Sequence, residues 1–215
     1  MRLYVYCEGH TEKVFISEVL GPYLNNYGII SIPIMCKTGG GNGMPSNKGG
    51  VSKYSKIKRE LTILCGSHKN ELVTTMFDLY GLPKDTPGIN KTVLEIESEI
   101  SKDIGRTNLI ANIMVHEFEA LLFSDVNAFD PPYQRAIPKL MKIKDEFKNP
   151  ERINNSRDTA PSKRIFTIIP EYRKVADGII IAERIGIEKM REECPHFNKW
   201  VENLLVKSED PRYLG

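Results

Sequence analysis

The first twelve residues constrain the fold of this chain more than any other segment. Leu3–Cys7 is a short run of apolar, aromatic and β-branched residues that ends at Glu8 and Gly9. A helical pattern of apolar residues then begins at Thr11. This order predicts a strand, a tight turn and a helix, with Glu8 at the carboxyl end of the strand. Ligands of open α/β sheets bind at that edge, so Glu8 is a candidate metal ligand, general base or cap of the next helix.

Segments typical of strands and of helices alternate through the first part of the chain. Further strands are predicted over 29–36, 71–77 and 108–115, and helices over 11–26, 52–67 and 92–104. The alternation predicts an α/β protein with a mainly parallel sheet of about four strands, joined by right-handed crossovers and flanked by helices. The pattern changes after residue 130, where short helices are predicted over 136–147, 161–168, 172–185 and 187–205. We therefore expect an α/β core over 1–130 and a helical extension over 131–215, packed on the core as one compact unit.

Composition and charge exclude several classes of protein. The 215 residues are 40% hydrophobic and 27% charged, with a net charge of +2, so no global excess of positive charge indicates a nucleic-acid binder. No apolar run approaches the roughly 20 residues of a membrane-spanning helix. The amino-terminal segment lacks the pattern of a signal peptide. The four cysteines are scattered, which is typical of free thiols. We therefore expect a cytoplasmic protein that does not associate with membranes.

Carboxylates follow three of the predicted strands. Glu8 follows the first strand, Asp78 the third, and Glu117 the fourth, with Glu119 two residues later. Parallel strands bring their carboxyl ends to one edge of the sheet, so we expect Glu8, Asp78 and Glu117 to lie close together. Clustered carboxylates are costly without a cation, and their hard oxygens suit Mg²⁺ or Mn²⁺. Such an ion polarises a phosphoryl oxygen and activates water for in-line attack.

Each of these acids also has a structural interpretation. Glu8 is suited to capping the following helix, Asp78 to starting an Asx turn, and Glu119 to the first turn of a helix. His116, beside Glu117, is a candidate general base or metal ligand, and also a candidate hydrogen-bonded structural residue. The residues alone leave these alternatives open.

The segment Thr38–Gly50 is rich in glycine, but it contains neither a Walker A motif nor a complete G-x-G-x-x-G fingerprint. We interpret it as a mobile loop whose backbone amides are candidates for contact with phosphate. The chain also lacks G-x-S-x-G and any cysteine–histidine arrangement suited to acyl transfer.

Several longer motifs lie at and beyond the strand ends. Their sequences are Glu-Gly-x-Thr-Glu at 8–12, Asp-x-Tyr-Gly-Leu-Pro at 78–83, His-Glu-x-Glu-Ala-Leu-Leu-Phe at 116–123, Pro-Glu-x-Ile-Asn at 150–154, Ala-Pro-Ser-Lys-Arg at 160–164 and Cys-Pro-His-Phe-x-x-Trp at 194–200. In this combination the chain resembles the bacterial domain-of-unknown-function family 4276. That family is related to TOPRIM domains, which occur in topoisomerases, primases and nucleases of the overcoming-lysogenization-defect (OLD) type.

The resemblance implies a TOPRIM-like fold and a Mg²⁺-dependent nuclease or related phosphodiester-processing enzyme that acts on nucleic acid. In TOPRIM domains a glutamate after the first strand and an Asp-x-Asp pair after a later strand bind the metal. Glu8 takes the place of the first acid and Asp78 that of the first aspartate, whereas Tyr80 stands where the second aspartate is expected. Glu117 or Glu119 is then the candidate that supplies the missing carboxylate.

Three basic residues become candidates for binding phosphates under this interpretation, because nucleic-acid contacts are made mainly to the backbone. They are Lys163, Arg164 and Lys174. Ion pairing to nearby acids is the structural alternative for all three.

The resemblance also implies a partner. Relatives are often encoded beside an ATPase of the ABC or SMC type, in loci that resemble phage-defence systems. A non-catalytic TOPRIM-like effector or sensor subunit that partners such an ATPase is therefore the main alternative, and Tyr80 favours it. A phosphoryl-transfer or hydrolytic enzyme that acts on a small nucleotide is a third possibility.

Overall fold

The computed structural model describes residues 1–36, 53–154 and 156–213, and the glycine-rich segment interpreted as a loop lies outside them. The strands are β1 (Arg2–Cys7), β2 (Ile30–Met35), β3 (Leu72–Asp78), β4 (Leu109–Ile110) and β5 (Ile113–Met114). The helices before residue 131 are α1 (His10–Phe15), α2 (Gly21–Asn25), α3 (Tyr54–Ser67) and α4 (Val93–Ile104). Those after it are α5 (Ile137–Asp145), α6 (Pro161–Ile168), α7 (Ala176–Ile185), α8 (Ile187–Glu193) and α9 (Pro195–Ser208).

The sheet has the order β2-β1-β3-β4, and β5 pairs with β3 beyond the end of β4. All of these pairings are parallel. The predicted α/β fold with a mainly parallel sheet flanked by helices, followed by C-terminal helices, is confirmed.

Both faces of the sheet are buried, as alternate residues of β1 demonstrate. Leu3, Val5 and Cys7 belong to a core that includes α1 and the C-terminal helices. Tyr4 and Tyr6 point to a second core, formed with α3 and α4. Burial on both faces explains why the strand is continuously apolar instead of alternating with polar residues.

The predicted fourth strand is interrupted. The hydroxyl of Thr75 donates to the carbonyl of Asn112 at 2.7 Å and accepts from the amide of Asn112 at 2.8 Å. The hydroxyl of Thr74 similarly donates to the carbonyl of Ile110 at 2.7 Å. The bonds of Thr75 replace backbone pairing between β3 and the segment that joins β4 to β5, whereas the bond of Thr74 lies within the pairing of β3 with β4. The hydrophobic pattern gives no sign of the break, because both halves remain apolar.

The helix predicted to begin at Thr11 begins one residue earlier, after Gly9 at the cap position. It passes through a π-helical turn at Ile16–Leu20 before α2 begins. Pro22, near the start of α2, has no amide hydrogen to donate, and the wider turn precedes it. None of the helices in the described residues combines the length and apolar character needed to span a membrane.

Candidate active site

Strand register places the predicted acids on adjacent strands. Cys7 of β1 pairs with Met76 of β3. Glu8, the next residue, therefore follows beside the last residues of β3. Asp78, at the end of β3, pairs with Met114 of β5. Asp78 therefore lies between the strand that ends at Glu8 and the strand that leads to Glu117.

Asp78 is the electrostatic centre of this group. Burial raises its pKa well above the usual range, and the charges of four acids raise it further: Glu12, Glu119, Glu8 and Glu117. Its Oδ1 accepts a hydrogen bond from the amide of Phe118 at 3.0 Å. This bond ties the end of β3 to the turn that follows β5. We call these five carboxylates the acid cluster.

Glu8 is partly buried and packs against the chain beyond β3. Burial, and then the charge of Glu12, raise its pKa to about 7, although a hydrogen bond to the backbone of Asp78 and the charge of Lys174 oppose the shift. A Cβ atom at Gly81 would lie 2.6 Å from Cδ of Glu8 and closer still to Oε2. The glycine that directly follows Tyr80, the position expected for the second acid, therefore makes room for the Glu8 carboxylate.

Two members of the acid cluster are buried: Glu12 is 7% exposed and Glu119 is 1% exposed. Burial is the main reason that the pKa of each carboxyl is raised. Glu12 was not among the candidates selected from the sequence. Its place in the Glu-Gly-x-Thr-Glu motif, in the first turn of the helix that follows Glu8, is the signal that could have identified it.

Lys174 lies within the acid cluster. Its Nζ is 2.9 Å from Oε1 of Glu119. The charge of Lys174 and its hydrogen bond to Glu119 lower the pKa of that carboxyl and partly offset the effect of burial. Burial lowers the pKa of Lys174, but the charges of Glu119, Glu117 and Asp78 outweigh that effect and raise it.

The other two predicted phosphate-binding residues have different surroundings. The amide of Ser162 donates to Oε2 of Glu117 at 3.0 Å, which brings the beginning of α6 to the acid cluster. Lys163, the next residue, is exposed. Arg164 is engaged locally, because Nε donates to the carbonyl of Thr159 at 2.8 Å and the guanidinium lies 5.2 Å from the ring centre of Phe147.

His116 has a left-handed backbone conformation, with φ of 70°. Its Nδ1 is 3.2 Å from the side-chain nitrogen of Asn154. An amide nitrogen only donates, so Nδ1 accepts and the neutral ring carries its proton on Nε2. Burial lowers the pKa of His116, Glu117 opposes this shift and Arg152 adds to it, which favours the neutral form.

Tyr80, at the position expected for a second aspartate, is stacked on His116 with ring centres 5.6 Å apart. The guanidinium of Arg157 lies 5.6 Å from the centre of the Tyr80 ring and donates to the backbone carbonyl of the same residue. The position of the missing acid thus belongs to a layered Arg–Tyr–His arrangement beside Glu117.

The acid cluster consists of carboxylate oxygens, which are the type of ligand that a hard divalent cation prefers. Lys174 is the cation paired with the cluster. As arranged, no three acid, histidine or cysteine side chains in the described residues form a group that could hold a metal ion. Mg²⁺ is nevertheless commonly bound by only one or two carboxylates, with water and substrate phosphate as its other ligands. Glu8 and Asp78, both partly exposed, are the candidates for such a smaller site.

Comparison with known proteins identifies the family. A family model described as a domain of unknown function, DUF4276, matches residues 7–205. No curated protein matches the chain. No solved structure matches it either. Because the family match covers nearly the whole chain, the protein belongs to the DUF4276 family.

Proposed function

We propose that this protein is a divalent-metal-dependent nuclease, or a related phosphodiester-processing enzyme, that acts on nucleic acid and is related to TOPRIM domains. One observation carries the proposal: Asp78 is surrounded by four further carboxylates at the carboxyl edge of a parallel sheet, and their charges raise its pKa. Strongly perturbed acids at this edge are typical of functional sites.

Glu8 and Asp78 are the residues that would hold Mg²⁺ or Mn²⁺, with Glu117 or Glu119 completing the ligand set or acting as a base. The bound cation would supply a Lewis acid for the phosphoryl oxygen and an activated water. Lys174 would contact the phosphate as a fixed positive charge. His116, whose ring is hydrogen-bonded to the backbone of Glu151 and to Asn154, would hold the turn that carries Glu117 in position.

A non-catalytic role is the second candidate function. Tyr80 replaces the second aspartate and is packed between His116 and Arg157, so that position offers an aromatic ring instead of a carboxylate. In that case the protein would act as an effector or sensor subunit of an ABC- or SMC-type ATPase, in a phage-defence setting. Addition of the neighbouring ATPase would then be required for any effect on nucleic acid.

Cleavage of labelled plasmid, single-stranded DNA and tRNA in Mg²⁺ or Mn²⁺ tests the proposal. We expect metal-dependent cleavage by the wild type and a loss of at least 100-fold for Glu8→Gln and for Asp78→Asn, the scale on which removal of one electrostatic catalytic group reduces rate, roughly 10²–10³. Both changes keep the size of the side chain and remove its charge.

Glu18→Gln is the matched control, because Glu18 is an exposed acid on the same helical stretch as Glu12. All variants are purified identically, so a contaminating nuclease would cleave in every sample. Equal cleavage by Glu8→Gln and the wild type would contradict the proposal. Absence of cleavage by the wild type in all three substrates would favour the ATPase-dependent role.

A further inference from the structure

A groove of about 630 Å³ lies next to the acid cluster. Val115 and His116, which immediately precede Glu117, form part of its wall. The rest of the lining comes from the beginning of α4, the segment 148–152 and the beginning of α9. The groove and the acid cluster therefore share the turn that follows β5.

The groove carries positive charge without acidic partners. Lys148, Arg152 and Lys199 line it, and all three are exposed. Among the described residues, no ion pair involves any of them. This differs from Lys174, whose charge is paired with Glu119.

The acid in the lining does not neutralise these cations. Both oxygens of the Glu151 carboxylate accept hydrogen bonds from the start of α9, from the amides of His196 and Phe197, each at 2.9 Å. Glu151 is itself buried. Its charge therefore stabilises the amino terminus of α9, while the exposed cations remain available to a ligand.

Apolar surface accompanies the charge. Leu94, half-exposed, and Val93 lie in the lining near the beginning of α4. Surfaces that bind nucleic-acid strands combine cations, which contact phosphates, with apolar groups, which contact sugars and bases.

We propose that this groove binds the sugar–phosphate backbone of the nucleic-acid strand that enters the acid cluster, with Lys148, Arg152 and Lys199 contacting its phosphates. The inference rests on the proposed function for its substrate class. An open groove suits a polymer that continues past the site, whereas a small nucleotide would require a closed pocket.

Fluorescence anisotropy in EDTA tests the groove without any contribution from catalysis. The probes are labelled single-stranded DNA, single-stranded RNA and duplex DNA of one sequence, titrated with the wild type and with K148S/R152S/K199S over a range of salt concentrations. Each phosphate contact contributes about 0.7–0.9 to the slope of log Kobs against log[salt]. We expect the triple variant to lower that slope by about two and to bind at least tenfold more weakly, since phosphate contacts dominate affinity.

The control variant is K69S/K102S/R106S, which also removes two lysines and one arginine. These three residues are exposed and lie at the opposite edge of the sheet, before β3 and β4. It should keep the wild-type affinity within twofold and the wild-type slope. Circular dichroism of both triple variants confirms that they fold, and the three single variants are measured if either triple variant does not.

Equal weakening by the two triple variants, or no binding of any probe by the wild type, would overturn the proposal. Groove-dependent binding without cleavage would support the groove while rejecting the nuclease activity. Metal-dependent cleavage with undiminished binding and cleavage by the groove variant would support the nuclease activity and overturn the groove.

Discussion

Two groups of acids in this protein differ in how their charges are satisfied. Under α9, Glu151 accepts hydrogen bonds from two backbone amides. Glu97 accepts a hydrogen bond from the amide of Ile113 and is bonded to Nε2 of His196, both at 2.8 Å. Burial lowers the pKa of His196, but the hydrogen bond to Glu97 and the charges of Glu97 and Glu151 together outweigh that effect and raise the pKa, so the ring favours its charged form beside the acid. In this pair, every negative charge has donors arranged around it.

The acid cluster has the opposite character. Asp78 and Glu8 have raised pKa values because they are buried beside other acids, and the five carboxylates share the charge of Lys174. Carboxylates with complete sets of donors stabilise a fold, whereas repelling carboxylates at a strand edge are retained for binding or chemistry. The comparison therefore separates structural acids from candidate functional ones within a single molecule.

The largest expected effect tests the structural side of this comparison. Glu151→Ala leaves one partly buried and one buried amide at the start of α9 without acceptors, so we expect the free energy of unfolding to fall by roughly 2–6 kcal/mol, at about 1–3 kcal/mol for each orphaned group. Urea unfolding at pH 7 measures the change. Glu151→Gln retains one carbonyl acceptor and should cost less. A loss below about 1 kcal/mol for Glu151→Ala would contradict the structural role, because a buried unsatisfied group usually costs more.

The second-largest expected effect tests the repulsion within the acid cluster by measuring how stability depends on pH. The pKa of Glu8 is about 7 in the folded protein, against 4.5 for an ordinary glutamate. Between these values the folded state binds more protons than the unfolded state, so Glu8 lowers the stability of the fold as pH rises from 4.5 to 7. Glu8→Gln removes this loss and should be more stable than the wild type at pH 8, by up to about 3 kcal/mol.

Urea unfolding at pH 5 and pH 8 in EDTA measures this difference, and Mg²⁺ provides the second condition. If Glu8 holds a cation, Mg²⁺ should stabilise the wild type at pH 8 more than Glu8→Gln, since binding to the folded state alone raises stability. Parallel pH profiles for the two proteins would show that Glu8 is an ordinary surface acid.

The sequence predicted the strand ends well because hydrophobic runs, turns and acids are local signals. Glu8 and Asp78 were expected at the ends of parallel strands, and β1 and β3 are parallel and paired in the sheet. The C-terminal helices were also indicated by their apolar periodicity, and α6 has the predicted bounds.

The remaining features depend on contacts between distant segments. Lys174 was a candidate both for binding phosphate and for ion pairing, but its pairing with Glu119 depends on how the segment before α7 packs near the sheet, which no local pattern encodes. Pro195 divides the helix predicted over 187–205 into α8 and α9, and Glu151 caps the second helix from 44 residues before it. Side-chain bonds from Thr75 likewise interrupt the predicted fourth strand.

The smallest expected effect concerns the packing of Glu8 itself. A methyl group at Gly81 would collide with the Glu8 carboxylate, whereas the backbone at this position is outside the left-handed region and accepts alanine. We expect Gly81→Ala to cost about 1–2 kcal/mol in the wild type, because the carboxylate must move, and almost nothing in a Glu8→Ala background. Urea unfolding of the two single variants and the double variant measures this coupling.

Gly66→Ala is the matched control, since a Cβ atom there meets only Nη2 of Arg106, at 3.9 Å. Gly66 lies in α3, where alanine should raise the free energy of unfolding by roughly 0.5–1 kcal/mol. If Gly81→Ala lowers the free energy of unfolding while Gly66→Ala raises it, the cost at Gly81 is due to the Glu8 carboxylate beside it. If Gly81→Ala were as costly in the Glu8→Ala background as in the wild type, the glycine would serve the backbone of the turn, and the close approach of Glu8 would not be its reason.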